Sequence, residues 1–379
     1  MYTRRDVAKL CGAAAMLPLI GCGDPGQVDD MLNEKAWKMP EEASPHERTF
    51  MQWPVDAKTY GGRAYLEEVQ GTIASIARAI SGYEPVVMLA AKEYHADISA
   101  ETDGDVSFWD IPTNDLWARD SGPTFVASGS DLAVMDYNFN GWGNKQKHNH
   151  DGAIAGLIAK RLGIEHIDSG VVGEAGGLEY DGHGTILAHA SSWVNPNRNN
   201  MGADKVAALL QKAVGARKTI WAPGVMGKDI TDYHIDALAR FVAPGRVLIQ
   251  LPDKIDRSDP WSVAAWETMG ILEKSTDADG KKIELIVLPE PYDIRSKSAD
   301  FVASYVNYYL CNDAVIAAQF GDDAADEKAK STLQKLYPDR KIVLLNVDPL
   351  GESAGGIHCA TQQQPKIAVS KTNDKEPVQ

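Results

Sequence analysis

The sequence predicts an α/β fold assembled from about five small units. Apolar runs typical of buried strands alternate along the chain with segments whose apolar residues recur at helical spacing. The order strand, strand, helix, strand recurs without a linker between copies and without visible sequence repetition. Recurrence on this scale favours either an α/β sandwich or a radial array of small sheets.

The helices follow from their apolar spacing and their end signals. Residues 65–80 carry apolar side chains on one face, and residues 151–163 end at Gly163, a residue type that commonly terminates helices. By the same criteria we predict further helices in residues 203–215, in residues 261–280, where a loop follows the helix, and in residues 325–338.

The strands are rich in β-branched and aromatic residues. Single strands are predicted at residues 84–91, 106–112, 282–291 and 341–347, and residues 299–320 are strand-rich. Three pairs of strands are joined by tight turns: a Ser-Gly-Ser turn in residues 124–139, Asp181-Gly182 in residues 177–194 and a Pro-Gly turn in residues 237–250.

Composition and charge narrow the classes of partner. The 379 residues are 44% hydrophobic and 24% charged, which is ordinary for a globular protein that forms two or three domains or one large closed architecture. The net charge of -15 disfavours nucleic acid and other polyanions as partners. The same charge is compatible with a small cationic substrate, although an acidic surface also serves solubility.

The N-terminus has the features of a bacterial export signal over residues 1–22. A basic region with two adjacent arginines precedes an apolar run, residues 10–20, which is shorter than the roughly 20 residues of a membrane-spanning helix. The arginine pair resembles a twin-arginine signal, and the sequence that ends at Cys22 resembles the lipobox of lipoproteins. We therefore expect an exported protein, periplasmic or tethered to the membrane through lipidated Cys22, with a polar tether over residues 23–38. An uncleaved apolar anchor is the alternative.

Two cysteines remain in the body of the chain. Cys311 lies in a strongly apolar stretch and is predicted to be a core residue. Cys359 lies in GGIHCATQQQP, between two glycines and three glutamines. These polar surroundings favour a reactive nucleophile over a structural thiol, provided that a cation or a hydrogen-bond donor lies nearby. A disulfide between the two cysteines is a further alternative in an oxidising compartment.

The segment NDLWARDSGPTF suits the binding of a flat cation. It places Trp117 between Asp115 and Asp120, just before a Gly-Pro turn. A carboxylate can accept paired hydrogen bonds from such a cation while an aromatic ring presents its face to it. The alternative is that Asp120 caps a turn and pairs locally with Arg119.

A histidine lies among carboxylates in the segment TDYHIDALARF. In an extended segment residues two apart share a face, so that His234 and Asp236 project together, and Asp232 joins them. Neighbouring negative charge raises the pKa of a histidine and makes it a candidate general acid and base. A metal site is the alternative, but no second His or Cys lies at ligand spacing in the sequence.

Glu174 adds a further acidic candidate. The two glycines that follow it in GEAGGLEYDGHGT allow the backbone to approach a ligand closely, although a tight hairpin would also account for them. Together the four segments supply a cysteine, a histidine and more carboxylates than the one orienting residue that a cysteine protease needs. A surplus of acidic groups around a thiol suits a positively charged electrophile such as a guanidinium.

Seven segments stand out as a set, in chain order: SPHERTFMQWP, LWARDSGPTF, FNGWGNK, NPNRNN, DYHIDALARF, SYVNYYLCNDAVIAAQFGD and GGIHCATQQQP. Together they resemble the agmatine deiminase and Porphyromonas-type peptidylarginine deiminase family, over essentially the whole mature chain. The resemblance implies a five-bladed α/β propeller, the pentein fold of guanidino-group-modifying enzymes. It implies a single deiminase domain over residues 39–372, a tail over residues 373–379, and a hydrolase without a metal or an organic cofactor.

The resemblance also implies roles for individual residues. Cys359 is expected to be the nucleophile and His234 the general acid and base, while Asp120 and Asp236 hold the guanidinium nitrogens. Four further residues are expected to bind the substrate: Trp117, Glu174, Asp232 and Gly356. Gly356 stands where the family often has an asparagine.

The expected reaction is the hydrolysis of agmatine to N-carbamoylputrescine and ammonia. A peptidyl-arginine substrate, which would give citrulline, is the first alternative. A lipoprotein that binds guanidino compounds or polyamines without turnover is the second. The expected partner is thus a small cationic guanidino compound or an arginine side chain of a peptide, and a homo-oligomer is left open.

Overall fold

The computed structural model describes residues 35–102, 106–298 and 300–367. The strands in these ranges are β1 (His46–Gln52), β2 (Val86–Ala90), β3 (Val106–Asp110), β4 (Thr124–Ser128), β5 (Asp131–Asp136), β6 (Glu165–Asp168), β7 (Leu178–Tyr180), β8 (Thr185–His189), β9 (Lys218–Ala222), β10 (Ala239–Ala243), β11 (Arg246–Leu251), β12 (Glu284–Pro289), β13 (Tyr309–Leu310), β14 (Ala314–Gln319), β15 (Lys341–Asn346) and β16 (Gln362–Pro365). The longer helices in the same ranges are α1 (Arg63–Ser81), α2 (His95–Thr102), α3 (Ile154–Leu162), α4 (Ala203–Val214), α5 (Pro260–Leu272) and α6 (Asp323–Leu336). Shorter helical turns span Lys92–Tyr94, Ala118–Ser121, Gly141–Asn144, Asp151–Ala153, Ala175–Gly177, Ala190–Trp193, Ile235–Ala237 and Asp348–Glu352.

The folded unit begins close to the predicted boundary. It starts at Trp37, and Lys38 forms a backbone bridge with β4. Trp37 and Lys38, which the sequence analysis assigned to the tether, thus belong to the folded unit. The signal predicted over residues 1–22, most of that tether and the tail predicted over residues 373–379 lie outside the described residues.

The described strands form five small sheets, one for each predicted unit. Four sheets have three strands, in the orders β4-β5-β6, β7-β8-β9, β10-β11-β12 and β13-β14-β15, and the fifth has the order β16-β1-β2-β3. In every sheet an antiparallel pair is followed by a parallel pair. Five separate sheets agree with a radial array and exclude the sandwich, in which two sheets pack face to face.

A helix connects one parallel pair in each sheet, because parallel neighbours cannot be joined by a tight turn. α1 connects β1 to β2, and α3, α4, α5 and α6 make the corresponding connections in the other four sheets. The sequence of α1 explains its helical form, because its buried residues recur at spacings of three and four: Leu66, Val69, Ile73, Ile76 and Ile80. Burial of each such side chain stabilises the fold by about 1.5–3 kcal/mol.

The last strand completes the sheet that the first strand begins. Phe50 in β1 pairs with Gln362 in β16, so both ends of the folded unit meet in one sheet. Gln362 and Gln364 are buried, and the Gln362 amide donates a hydrogen bond to the carbonyl of Pro123 at 2.8 Å. This closure places the turn that carries Cys359 directly before β16.

Most predicted elements are confirmed. The five predicted helices and the three strand pairs lie within a few residues of their expected positions, and so do the single strands β2, β3, β12 and β15. The prediction for residues 299–320 is wrong in part, because only β13 and β14 form there. Cys311 is fully buried, and both it and Cys359 are free thiols. In the described ranges each helix is too short or too polar to cross a bilayer.

Candidate active site

Cys359 lies in a tight turn, residues 355–361, that we call the Cys359 turn. The residue is 9% exposed, so the polar stretch of the sequence is largely buried in the fold. Its sulfur accepts a hydrogen bond from Nδ2 of Asn307 at 3.2 Å and lies 3.5 Å from Oδ2 of Asp236. Gly355 is required here, because a Cβ would lie 2.4 Å from the ring of Trp117. Trp117 therefore packs directly against the Cys359 turn.

Asp120 is fixed beside this turn by the helical turn Ala118–Ser121. The N–H of Arg119 donates a hydrogen bond to the carbonyl oxygen of Cys359 at 3.0 Å and ties the two segments together. The Arg119 guanidinium donates to the carbonyl of His358 rather than pairing with Asp120. Asp120 is 6% exposed, and its Oδ1 has no hydrogen-bond partner among the described residues.

Trp142 positions the second oxygen of Asp120. Its indole Nε1 donates a hydrogen bond to Oδ2 of Asp120 at 2.9 Å. Trp142 adopts a left-handed backbone conformation, φ 55 and ψ 45, which costs about 1–3 kcal/mol for a non-glycine residue. Its neighbours Gly141 and Gly143 also have positive φ, and Asn140 accepts a hydrogen bond from the N–H of Gly143 at 2.7 Å. The sequence reasoning gave Trp142 no role, although glycines on both sides of an aromatic residue are a usable signal.

His234 faces the site, although not by the predicted geometry. The residues after it, Ile235–Ala237, form a 3-10 turn instead of an extended segment. The Nε2 of His234 lies 3.1 Å from Oε2 of Glu174, and its Nδ1 lies 3.6 Å from Oδ1 of Asp120. The 3-10 turn still brings Asp236 to the same site, because it reaches the sulfur of Cys359 as described above.

Asp236 is oriented by the residue that precedes the cysteine. Its Oδ2 accepts a hydrogen bond from Nδ1 of His358 at 2.8 Å, and its Oδ1 has no partner in the part of the chain that the structure describes. The other ring nitrogen of His358 lies 3.1 Å from Oε2 of Glu42, which also accepts from Arg240. Sequence reasoning missed Glu42 and His358, whose contact joins residues 316 positions apart.

Glu174 lies beside His234 and forms an ion pair with Arg198. Nε of Arg198 donates to both Glu174 oxygens, at 2.9 and 3.0 Å. The glycine pair was predicted to allow a close approach of the backbone to a ligand, and in the structure the backbone approaches side chains of the site closely. A Cβ on Gly176 would lie 2.8 Å from both Asp120 Oδ1 and His234 Nδ1. The side chains of Asp120 and His234 thus leave no room for a side chain at position 176.

Asp232 does not join His234 and Asp236, contrary to the prediction. Its Oδ1 accepts from the N–H of Gly227 at 2.7 Å, and its Oδ2 accepts from Lys145 at 2.7 Å and from Arg198 at 2.8 Å. Both oxygens are therefore occupied by donors other than a substrate. The left-handed backbone at Asp232, φ 59, turns its side chain toward these donors. Asp232 holds Arg198, which in turn holds Glu174.

Gly356, another of the four residues expected to bind the substrate, packs against Asn307. A Cβ at position 356 would lie 2.4 Å from Oδ1 of Asn307. The glycine thus makes room for the amide of Asn307. The sequence analysis did not predict that this amide lies beside the sulfur of Cys359.

The carboxylates set the charge of the histidine. Burial alone would lower the pKa of His234, but the negative charges of Asp120, Glu174 and Asp236 outweigh it and raise the pKa to about 9. Burial raises the pKa of Asp120 to about 6, despite the nearby imidazolium of His234. Burial also acts on Asp236, but hydrogen bonding from His358 outweighs it and holds the pKa of Asp236 below its usual range.

The surroundings of the thiol disfavour its ionised form. Burial, followed by the charges of Asp236 and Asp120, raises the pKa of Cys359 well above its usual range. The sequence analysis made a reactive thiol conditional on a nearby cation or hydrogen-bond donor, and the negative charges oppose that effect here. The free site therefore holds a neutral thiol beside a protonated histidine, and a cation bound between the carboxylates would favour the thiolate.

Two observations decide the family. Residues 38–365 match the family of Porphyromonas-type peptidyl-arginine deiminases, and the agmatine deiminase of Medicago truncatula is 34% identical over 364 residues, covering 87% of this chain and 96% of the relative. The chain belongs to this deiminase family.

Solved structures agree with this membership. The agmatine deiminase of Enterococcus faecalis matches with a TM-score of 0.81 at 26% identity, over 92% of this chain and 99% of that protein. A cysteine-to-serine variant of the C. jejuni agmatine deiminase, with substrate bound, matches with a TM-score of 0.77 at 25% identity, over 88% of this chain and 98% of that protein. The five sheets described above are thus the blades of the α/β propeller, or pentein fold, that the resemblance implies.

Within the described ranges, no group of three or more His, Cys, Asp or Glu side chains is arranged to hold a metal ion. The site instead offers a thiol, a cationic imidazole and two carboxylates with unoccupied oxygens. Such a set can bind a planar cation, attack its carbon and donate a proton to a leaving group.

Proposed function

We propose that this protein is a hydrolase that removes one nitrogen of a guanidinium group as ammonia, through a covalent intermediate on Cys359. The proposed substrate is agmatine and the proposed product is N-carbamoylputrescine. The proposal assigns the nucleophile to Cys359 and the general acid and base to His234. Asp120 and Asp236 bind the guanidinium nitrogens.

One observation carries the proposal. Oδ1 of Asp120 and Oδ1 of Asp236 are both buried and lack a hydrogen-bond partner among the described residues. Both lie in the group of side chains around the Cys359 sulfur. A buried carboxylate oxygen without a donor is costly, and a guanidinium supplies paired N–H donors together with a positive charge.

Substrate binding prepares the nucleophile. In the free site, burial and then the negative charges of Asp236 and Asp120 raise the pKa of the Cys359 thiol. A bound guanidinium offsets these charges and so favours the thiolate. The thiol proton is then released to solvent. The two carboxylates fix the plane of the cation, so that its central carbon faces the sulfur for attack.

Ammonia leaves in the first half of the reaction. The thiolate of Cys359 forms a bond to the guanidinium carbon and gives a neutral tetrahedral adduct. His234, protonated because of its raised pKa, donates its proton to one NH₂ group. The bond between carbon and that nitrogen breaks, and a cationic amidino-thioether remains on Cys359.

Water completes the reaction. Neutral His234 takes a proton from a water molecule, and the hydroxide adds to the amidino carbon. The carbon–sulfur bond breaks, the thiolate of Cys359 departs, and the ureido product forms with loss of the hydroxyl proton to ammonia. The thiolate takes up a proton from solvent as the product leaves, and His234 is already protonated, so the site returns to its starting state.

The choice of agmatine rests on the relatives, because the matches described above are agmatine deiminases. The burial of Cys359, His234 and Asp120 also suits a small molecule that enters the site completely. The family description names peptidyl-arginine, so an arginine in a peptide is the alternative substrate to test.

The test uses the purified protein with agmatine, free arginine and an arginine-containing peptide, each followed by ammonia and ureido product. We expect turnover of agmatine, loss of turnover in Cys359→Ser, and unchanged turnover in the matched control Cys311→Ser. Citrulline in the peptide alone would replace agmatine by peptidyl-arginine. Agmatine binding without ammonia would favour a binding protein over an enzyme.

We also propose that the protein is exported and anchored through a lipid on Cys22. The support is the sequence alone: two adjacent arginines, a short apolar run and the segment that ends at Cys22. A twin-arginine route carries folded proteins, which suits a chain with free buried thiols at Cys311 and Cys359.

A further inference from the structure

The side-chain amide of Asn307 joins the nucleophile to one of the carboxylate segments. Asn307 is 3% exposed. Its Nδ2 lies 3.2 Å from the sulfur of Cys359 and 3.2 Å from the carbonyl oxygen of Asp236. Its Oδ1 accepts a hydrogen bond from the N–H of His358 at 3.0 Å and lies 3.4 Å from the N–H of Cys359.

These contacts fix the orientation of the amide. The N–H of His358 also donates to the backbone carbonyl of Asn307 at 3.2 Å, but the N–H of Cys359 needs an acceptor and the carbonyl of Asp236 needs a donor, so the oxygen of Asn307 faces the Cys359 turn. The amide nitrogen must then face the carbonyl of Asp236 and the sulfur. The oxygen is also the farther of the two from the sulfur, at 3.5 Å.

We infer that Asn307 is a catalytic residue, which stabilises the Cys359 thiolate through its Nδ2–H and holds the Cys359 turn through its Oδ1. Its part in turnover rests on the proposed function. Its effect on the thiol does not, because that effect needs no substrate.

The other groups around the sulfur show why such a donor is needed. Asp236 and Asp120 present negative charge to the sulfur and disfavour the thiolate. His234 is engaged by carboxylates, and His358 is held between Asp236 and Glu42. The guanidinium of Arg119, from the segment packed on the turn, is directed to the carbonyl of His358. The backbone at Gly356 and the amide of Asn307 are two groups that favour the thiolate.

Gly356 is the counterpart of this arrangement. A Cβ at this position would lie 2.4 Å from Oδ1 and 2.9 Å from Cγ of Asn307, closer than such atoms approach in proteins. Any larger residue would therefore displace the amide from the sulfur. The resemblance predicts an asparagine at position 356. In this chain a glycine is needed there, because only glycine leaves room for the amide of Asn307.

Alkylation of Cys359 by iodoacetamide in the substrate-free protein tests the inference. The rate is followed at several pH values by mass spectrometry of the peptide that contains Cys359. Asn307→Asp keeps the acceptor for the turn but removes the donor, and Asn307→Ala removes both. We expect both variants to alkylate about tenfold more slowly at a fixed pH below the thiol midpoint, because a hydrogen bond to a charged group has been lost.

The control is Asn195→Asp, another buried asparagine, whose amide donates to the carbonyl of Ser191. It should alkylate at the wild-type rate. Gly356→Ala, which leaves Asn307 in the sequence but crowds its amide, should reproduce the slower alkylation. Wild-type rates in the Asn307 variants, or an equal loss in Asn195→Asp, would overturn the inference. Because no substrate is used, failure of the deiminase proposal would not affect this result.

Discussion

Trp142 donates a hydrogen bond to Oδ2 of Asp120 over 2.9 Å and leaves Oδ1 of the same carboxylate without a partner among the described residues. The two residues are 22 positions apart and come from separate turns. The strained backbone of Trp142 is therefore compensated by a contact that aims a carboxylate into the site. This relationship connects the glycine-flanked tryptophan of the sequence to substrate binding.

Trp142→Phe should weaken substrate binding. Phenylalanine keeps the aromatic ring but loses the indole N–H, so Asp120 is no longer held for paired contact with a guanidinium. We expect KM for agmatine to rise about tenfold, the effect of one hydrogen bond to a charged group, with a smaller change in kcat. Trp109→Phe, in a hydrophobic cluster that does not include Cys359, is the control. Steady-state kinetics in which KM stays at the wild-type value would contradict the assignment.

The pH dependence should follow Asp120 and His234. Asp120 must be ionised to bind the cation, and its pKa is raised to about 6. His234 must be protonated to donate to ammonia, and its pKa is raised to about 9. The Cys359 thiol of the free site must also lose its proton, and its pKa is raised well above the usual range. We therefore expect kcat/KM to rise steeply up to about pH 6, to rise less steeply from there to about pH 9, and to level off above about pH 9, where His234 loses its proton. His166→Gln, at a histidine on the surface, should leave the profile unchanged. Levelling off at pH 7 or below would show that the carboxylates do not raise the pKa of His234.

Glu42→Gln should lower turnover from outside the substrate pocket. Glu42 holds His358 by its Nε2, and His358 orients Asp236. The amide lacks the negative charge that faces His358 and Arg240, so we expect kcat/KM to fall about tenfold. The adjacent Glu41→Gln is the matched control and should retain wild-type kinetics. Equal activity of both variants would mean that the chain of contacts to Asp236 has no part in catalysis.

Export through a lipid can be tested in cells. We expect metabolic labelling with a radioactive fatty acid to mark the wild-type protein and Cys11→Ser, and to leave Cys22→Ser unlabelled. The physical reason is that the thiol of Cys22 ends the lipobox-like segment, whereas Cys11 lies within the apolar run. Labelling of Cys22→Ser would point to another attachment site, and a wild-type protein without label would point to the uncleaved anchor.

The sequence predicted those parts of the fold that local patterns determine. Strand and helix periodicity is set within a dozen residues, and so the repeated unit could be recognised before any sheet was known. β16 is different, because three consecutive glutamines become a buried strand only when β1 pairs with them. The amide of Gln362 donates to the carbonyl of Pro123, a tertiary contact that no local pattern encodes.

The candidate site divides in the same way. Cys359, His234, Asp120 and Asp236 could be selected because their segments carry reactive groups together with turn residues. Asn307 could not, because it lies in an apolar stretch and gains its role only where that stretch meets the Cys359 turn. The interpretation of Asp232 was wrong for a related reason. The spacing of two residues predicted that Asp232 shares a face with His234, but its left-handed backbone directs the side chain to Lys145 and Arg198.

The most direct test of the central claim is the mass of the protein during turnover of agmatine. Rapid acid quenching followed by mass spectrometry should detect an amidino-thioether on the peptide that contains Cys359. The account predicts this adduct in the wild type and in Cys311→Ser, and its absence in Cys359→Ser together with loss of ammonia release. Ammonia release by Cys359→Ser at the wild-type rate would contradict the assignment of Cys359 as the nucleophile.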